Sequence, residues 1–169
     1  MSGIQTNIKA KAHVYGDHID TDRIIPGKYT KTLDMSTLAN HVLEDLDPNF
    51  NKIVKQGDIL VAGINFGCGS SREQAPLALK QAGVSVVIAQ DFARIFFRNA
   101  INIGLPVLEL ANHKIDKGAE LDVDLKTGIV KDLTGGVTYT ATKLPDIMIN
   151  ILNEGGLVNY LTKNGSYSL

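Results

Sequence analysis

The sequence of 169 residues contains a single cysteine, Cys68. One cysteine cannot form an internal disulfide bond, and it cannot supply the several thiolates that an iron–sulfur cluster takes as ligands. If such a cluster serves this chain, another polypeptide must bind it. We therefore expect no metal site on the chain itself.

An excess of charge and a long apolar run are also absent. The chain carries 17 Lys and Arg against 18 Asp and Glu, a formal net charge of −1, so no basic surplus favours nucleic acid. No apolar run approaches the roughly 20 residues that span a bilayer. Residues 1–7 lack the charged and apolar regions of a signal peptide. We predict a cytoplasmic protein that binds neither nucleic acid nor membranes.

The proportions of hydrophobic and charged residues, 44% and 21%, are those of a globular domain. Up to residue 110, apolar runs alternate with helical patterns across short links, which predicts parallel strands joined by crossover helices. The predicted strands cover residues 8–15, 58–64, 84–89 and 105–110. The predicted helices run from a cap at Ser36 or Thr37 to Leu46, over residues 75–82, and onward from a cap at Asp91.

After residue 110 the pattern changes to short strands, near residues 120–124, 128–131 and 137–142, separated by glycine-containing turns. A helix over residues 145–153 and a last short helix follow. The prediction is thus an α/β fold in a single compact domain, residues 1–169, with a small, mostly parallel sheet, flanking helices and a β-rich flank.

The segment Gly67–Arg72 joins a predicted buried strand to a helix. Pro76 is tolerated only in the first turn of a helix, so the helix begins shortly before it and leaves Ser70, Ser71 and Arg72 at its entrance. Free amides there favour an anion, and the hydroxyl and guanidinium groups add donors for a carboxylate or phosphate. A serine beside a cation can also act as a base. For this loop alone, a helix cap without a ligand is an equally good interpretation.

A second polar cluster, Asp17–Arg23, places three carboxylates close together. Metal binding is one interpretation, but the spacing does not continue as that of a calcium loop. A polar turn with local side-chain-to-backbone hydrogen bonds is favoured.

The helix predicted after Asp91 has apolar residues three and four positions apart. This spacing predicts one face that packs in the core, made of Phe92, Ile95, Phe96 and Asn99, and another face that carries Arg94 and Arg98.

Together, the segments Asp20–Gly27, Asn65–Ala75 and Asp91–Gly104 resemble the aconitase swivel domain. The likeness is greatest to its stand-alone form, the family of 3-isopropylmalate dehydratase small subunits, and extends over about residues 8–162. The resemblance implies a β/α swivel fold and the dehydration and rehydration that interconvert 2- and 3-isopropylmalate in leucine biosynthesis. It also implies a partner, a large subunit that holds a [4Fe-4S] cluster whose open iron binds the substrate.

The resemblance further implies a role for residues in the first two of these segments. Ser70 would be the base that takes the proton from carbon, and Asp22 would support proton transfer near the substrate hydroxyl. Ser71 and Arg72 would bind a substrate carboxylate, with Thr21 as a further substrate-binding residue.

The loop Tyr29–Thr32 lies where members of this family distinguish their substrates. Related homoaconitase small subunits place an arginine where Lys31 falls, to meet an extra carboxylate, whereas isopropylmalate enzymes often carry less charge there. Lys31 is therefore predicted to bind substrate. Isopropylmalate is the first choice, and homoaconitate or 2,3-dimethylmalate are alternatives. A non-catalytic anion-binding module is the alternative from another class.

Overall fold

The fold is built on one mixed sheet of seven strands, seen in a computed structural model that describes residues 6–32 and 34–165. The strands are β1 (Asn7–Val14), β2 (Ile59–Ala62), β3 (Val86–Ala89), β4 (Val107–Glu109), β5 (Glu120–Asp124), β6 (Ile129–Asp132) and β7 (Val137–Thr140). The helices are α1 (Thr21–Ile24), α2 (Met35–His41), α3 (Phe50–Ile53), α4 (Gln74–Gln81), α5 (Arg94–Asn102), α6 (Asp146–Asn153) and α7 (Leu157–Asn164), with a 3₁₀ turn at Gly27–Tyr29. Among these described helices, none combines the length and apolar character needed to cross a membrane.

Strand β1 stands in the middle of the sheet, whose order is β4-β3-β2-β1-β5-β6-β7. On one side β1, β2, β3 and β4 are parallel, with Ala12 of β1 beside Ile59 of β2. On the other side β1, β5, β6 and β7 are antiparallel, with Ile8 of β1 opposite Val123 of β5. The predicted α/β fold, with a parallel sheet and a β-rich flank, is confirmed.

Helices α4 and α5 connect the parallel strands β2 to β3 and β3 to β4. Strands β2 and β3 are buried at every position, as expected of central strands covered on both faces. Helix α4 begins at Gln74, so Pro76 lies in its first turn as predicted. Gly83 ends the helix with φ of 106°, a conformation that favours glycine. Both helices therefore begin at the edge where the parallel strands end.

Helix α2 begins earlier and ends earlier than the sequence predicts. Its N-cap is Asp34, since the Asp34 carboxylate accepts hydrogen bonds from the Ser36 hydroxyl and N–H and from the Thr37 hydroxyl. The hydrogen bonds from Ser36, and then those from Thr37, lower the pKa of the Asp34 carboxyl group. The helix ends at His41 because Val42 has an extended ψ of 133°, and Leu43 then adopts φ of 59°.

Helix α5 begins at Arg94 and is not capped by Asp91. The Asp91 carboxylate instead accepts a hydrogen bond from the N–H of Asn65 at 2.5 Å. Phe96 is buried as predicted, but Ile95 is 52% exposed, so its predicted place in the core is wrong.

A buried polar pair ties β1 to the start of β2. His13 and Asp58 are 3% and 6% exposed, and Nε2 of His13 lies 2.7 Å from Oδ2 of Asp58. The same carboxylate oxygen accepts a hydrogen bond from the N–H of Lys55 at 2.9 Å. The ring of Phe50 packs edge-on against the His13 ring, with centroids 5.4 Å apart. The pair thus fixes the loop that leads into β2.

We predict that Asp58→Ala lowers the free energy of unfolding by about 1–3 kcal/mol for each polar group it leaves unsatisfied, the His13 ring and the Lys55 N–H. Asp45→Ala removes an exposed carboxylate and should change the same quantity by less than about 0.5 kcal/mol. Urea unfolding followed by circular dichroism measures both. Equal midpoints for the two variants would show that the buried pair is not structural.

Candidate active site

The segments that follow β1, β2 and β3 meet at one edge of the sheet, because the carboxyl ends of parallel strands share an edge. After β1 and β2, the N–H of Thr21 donates to the carbonyl of Cys68 at 2.9 Å, and the N–H of Gly67 donates to the carbonyl of Ile19 at 2.8 Å. After β2 and β3, Phe66 is joined in the same way to the segment 91–93. Backbone pairing therefore continues past the strands and brings the three predicted motifs together.

The carboxylates of this edge satisfy backbone amides. Asp20 caps α1 by accepting from the N–H of Arg23 at 2.9 Å, and Asp17 accepts from the N–H of Ile64 at 2.9 Å. The interpretation of Asp17–Arg23 as a polar turn fits these bonds. In residues 6–32 and 34–165, no group of three or more His, Cys, Asp or Glu side chains is arranged to hold a metal ion.

Gly67 allows helix α5 to pack closely under the loop of residues 67–72. Its φ is 81°, and a Cβ atom built there would lie 2.3 Å from Cγ of Phe96. Phe96 in turn stands edge-on to Phe66, with ring centroids 5.1 Å apart. Any side chain at position 67 would push the loop and the helix apart.

Ser70 is exposed at the entrance of α4, as predicted, and Thr21 lies behind it. The Thr21 side chain is 2% exposed, and its hydroxyl donates to the Ser70 carbonyl at 3.0 Å while lying 3.2 Å from Oγ of Ser70. Thr21 also lines an open cavity at this edge of the sheet, but its hydroxyl is hydrogen-bonded to Ser70. The structure thus gives Thr21 a contact that supports Ser70.

Arg72 and Asp22 form an ion pair across the two segments. Nη1 of Arg72 lies 2.6 Å from Oδ1 of Asp22, and the two side chains are 26% and 65% exposed. Nη1 is itself buried and, within the described residues, makes no contact with the geometry of a hydrogen bond. The guanidinium also lies close over Gly27, where a Cβ atom would be 3.2 Å from Nη1. The contact with Asp22 is therefore an ion pair without the geometry of a hydrogen bond.

Lys31 is exposed on the loop that follows the 3₁₀ turn and lies outside the lining of the cavity. This loop is attached to helix α4 and to helix α2. Nε2 of Gln74, the first residue of α4, donates to the Thr30 carbonyl at 3.0 Å. The ring of Tyr29 stacks on that of His41, with centroids 3.9 Å apart. Lys31 thus follows a residue that is hydrogen-bonded directly to the start of α4.

An open cavity of about 210 Å³ lies at this edge. Four predicted site residues, Thr21, Ser70, Ser71 and Arg72, line it, and Asp22 reaches it through the ion pair with Arg72. The opposite wall is formed by the first turns of α5, with Arg94, Ile95, Phe96 and Asn99. Sequence reasoning missed this wall. The shared edge of strands β2 and β3 is the signal that would have placed it there.

Cys68 takes part in the structure through its backbone. Its carbonyl accepts the bond from Thr21, and its thiol is partly buried. Burial, and then the negative charge of Asp20, raise the pKa of the Cys68 thiol. A thiol whose pKa is raised is a poor source of the thiolate that metal ions bind.

The comparison with protein families matches residues 1–113 to the aconitase C-terminal domain. The chain is 57% identical to the 3-isopropylmalate dehydratase small subunit of Caldicellulosiruptor bescii over 155 residues, which cover 90% of this chain and 93% of that protein. It is 52% identical to the methanogen homoaconitase small subunit of Methanothermobacter thermautotrophicus over 163 residues, covering 96% and 94%.

A solved structure agrees with the sequence comparison. The crystal structure of 3-isopropylmalate dehydratase (leuD) from Methanocaldococcus jannaschii superposes with a TM-score of 0.90 at 46% sequence identity, covering 94% of this chain and 95% of that one. Both the sequence and the fold are therefore shared over nearly the whole length. The chain belongs to the aconitase C-terminal domain family, as a small subunit of the dehydratase type.

Proposed function

We propose that this chain, with a large subunit, forms a hydro-lyase that interconverts 2-isopropylmalate and 3-isopropylmalate. The observation that carries the proposal is that Ser70 and Arg72 line one open cavity, with Asp22 paired to Arg72. A hydroxyl beside a guanidinium suits proton abstraction from a carbon next to a bound carboxylate. Relatives at 55–57% identity that are named 3-isopropylmalate dehydratase small subunit support this choice of substrate.

The [4Fe-4S] cluster implied by the family does not fit the residues of this chain. Cys68 is its one cysteine, and its thiol is partly buried. We therefore assign the cluster to the large subunit, where it supplies a Lewis acid for the substrate hydroxyl. This chain's own task is to bind the acid and to move a proton.

Arg72 is placed to hold a carboxylate of the substrate. Its guanidinium lines the cavity beside Asp22, and its positive charge favours a carboxylate there. Ser71, exposed at the same helix entrance, adds a hydroxyl donor. A charge-assisted bond to a guanidinium is about twice as strong as a neutral one, so Arg72 contributes the larger share of orientation.

Ser70 takes the proton from carbon. Because the Thr21 hydroxyl donates to the Ser70 carbonyl, the Ser70 hydroxyl donates to Oγ1 of Thr21. Ser70 acts as a base in its deprotonated form, after its hydroxyl proton has passed to solvent at its exposed side; the Thr21 hydroxyl then turns to donate to the alkoxide, and the charge of Arg72 stabilises it further. As Oγ of Ser70 receives the proton, the C–H electron pair forms the double bond and hydroxide leaves the neighbouring carbon. Rehydration reverses these steps.

Reconstitution tests the division of the site. Purified alone, the chain should not dehydrate 3-isopropylmalate, whereas addition of a cluster-bearing large subunit should produce the ultraviolet absorbance of the unsaturated acid. The reason is that the metal ligands lie on the other polypeptide. Full activity of this chain without the large subunit would refute the split site.

Ser70→Ala in the reconstituted complex should lower kcat by about 10²–10⁴-fold, with a much smaller effect on KM, since a general base acts mainly in the transition state. Ser71→Ala, the matched change one position away, should raise KM more than it lowers kcat. Steady-state kinetics on 3-isopropylmalate separate the two. If Ser70→Ala retains its turnover, the chain is a non-catalytic anion-binding module.

A homoaconitase is the second candidate, favoured by the 52% identity to a methanogen homoaconitase small subunit and by the exposed cation Lys31. If Lys31 meets an extra carboxylate, Lys31→Ala should lower kcat/KM for homoaconitate about tenfold, corresponding to one charge-assisted hydrogen bond, and spare isopropylmalate. Lys28→Ala, which removes an exposed cation from the preceding turn, is the control. If Lys31→Ala leaves kcat/KM unchanged for every substrate, Lys31 does not bind substrate.

A further inference from the structure

Helix α5 presents an apolar side chain at the wall of the catalytic cavity. Ile95 is 52% exposed, although isoleucine is among the residue types most often fully buried. Single exposed apolar residues are common on protein surfaces and by themselves indicate nothing. Ile95 differs because it lines the same cavity as Ser70 and Arg72. Whatever closes that cavity must approach Ile95.

The support beneath Ile95 is rigid. Phe96, the next residue, packs against Gly67 of the catalytic loop and stacks parallel to Phe92, with ring centroids 6.1 Å apart. Phe92 also meets Phe97 edge-on at 5.7 Å. An aromatic cluster therefore fixes the first turns of α5 relative to Ser70. A side chain on such a preorganised element loses little conformational entropy when a partner binds.

Two arginines flank Ile95. Arg94 and Arg98 are exposed, one helical turn apart, and neither takes part in an ion pair with any residue that the structure describes. Arginine is enriched at protein interfaces, where its planar guanidinium binds carboxylates with two parallel hydrogen bonds. An exposed apolar side chain beside two guanidinium groups suits a partner surface with an apolar hollow and carboxylates at one side of it.

We propose that Ile95, with Arg94 and Arg98, is an anchor by which this chain docks on the cluster-bearing large subunit. The choice of this occupant rests on the proposed function: the substrate must touch both Ser70 and a metal held by the other chain. The large subunit therefore has to cover the open side of the cavity, where Ile95 stands. The anchor thus consists of Arg94, Ile95 and Arg98.

Isothermal titration of the large subunit with this chain tests the anchor. Ile95→Asp should raise the Kd at least about 30-fold, as loss of a central interface residue does. Ile53→Asp is the matched control, because Ile53 is 40% exposed on α3, which precedes β2, whereas the catalytic loop follows that strand. Its Kd should stay within about twofold of the unsubstituted chain. Equal Kd values for the two variants would overturn the assignment.

Arg98→Glu provides a second variant that changes only an exposed charge. It should weaken binding about tenfold at low salt and less at high salt, since the opposing carboxylates would repel it. An unchanged Kd would exclude the acidic rim. Binding is titrated without substrate and activity is assayed separately, so the two proposals can fail separately. A complex that forms but does not convert isopropylmalate rejects the proposed function. An active complex whose Kd is unchanged by Ile95→Asp rejects the anchor.

Discussion

Two backbone hydrogen bonds, from Thr21 to Cys68 and from Gly67 to Ile19, hold the site together. They join the segment after β1 to the segment after β2, so this one pairing places Thr21 next to Ser70 and Asp22 next to Arg72. The bond at Thr21 sets its hydroxyl behind Ser70, and the next residue along the chain then reaches Arg72. Because both partners are main-chain groups, side-chain substitution alone does not remove the bonds. The chemistry of the site therefore depends on how the sheet is extended beyond its strands.

In the mixed sheet, the parallel half carries this extension and the antiparallel half does not cover it. The parallel half directs three strand ends to one edge, and two helices begin there, at Gln74 and Arg94. The antiparallel flank joins the other side of β1 and adds no residue to the cavity lining. The edge thus offers hydrogen-bond donors from one helix entrance and an apolar wall from the other, which is the usual place for a ligand in a parallel sheet.

Local patterns sufficed for the sheet and for much of the site. Buried apolar runs marked β2 and β3, and Pro76 together with Gly83 gave both ends of α4. The resemblance to a known family assigned roles to Ser70 and Asp22, and the structure brings their segments together. The roles themselves remain predictions that kinetics must test.

The features that the sequence did not predict depend on contacts between distant segments. Several small polar residues could cap α2, and Asp34 does so because the chain turns there. Helical spacing predicts one apolar face of α5, but the spacing alone does not tell that Phe96 on that face is buried and Ile95 is exposed. The pairing of Arg72 with Asp22 spans two segments and leaves no periodic trace in the sequence. Local propensity does not contain such information.

The central place of β1 has a consequence for the chain as the ribosome makes it. Ile8 pairs with Val123, 115 positions further along, so the strand synthesised first waits for one of its two neighbours until most of the polypeptide has emerged. During that interval one row of its peptide groups has no intramolecular partner and can pair with another nascent chain. Slow translation beyond β4, or scarcity of chaperones, would therefore favour aggregation through the amino-terminal strand.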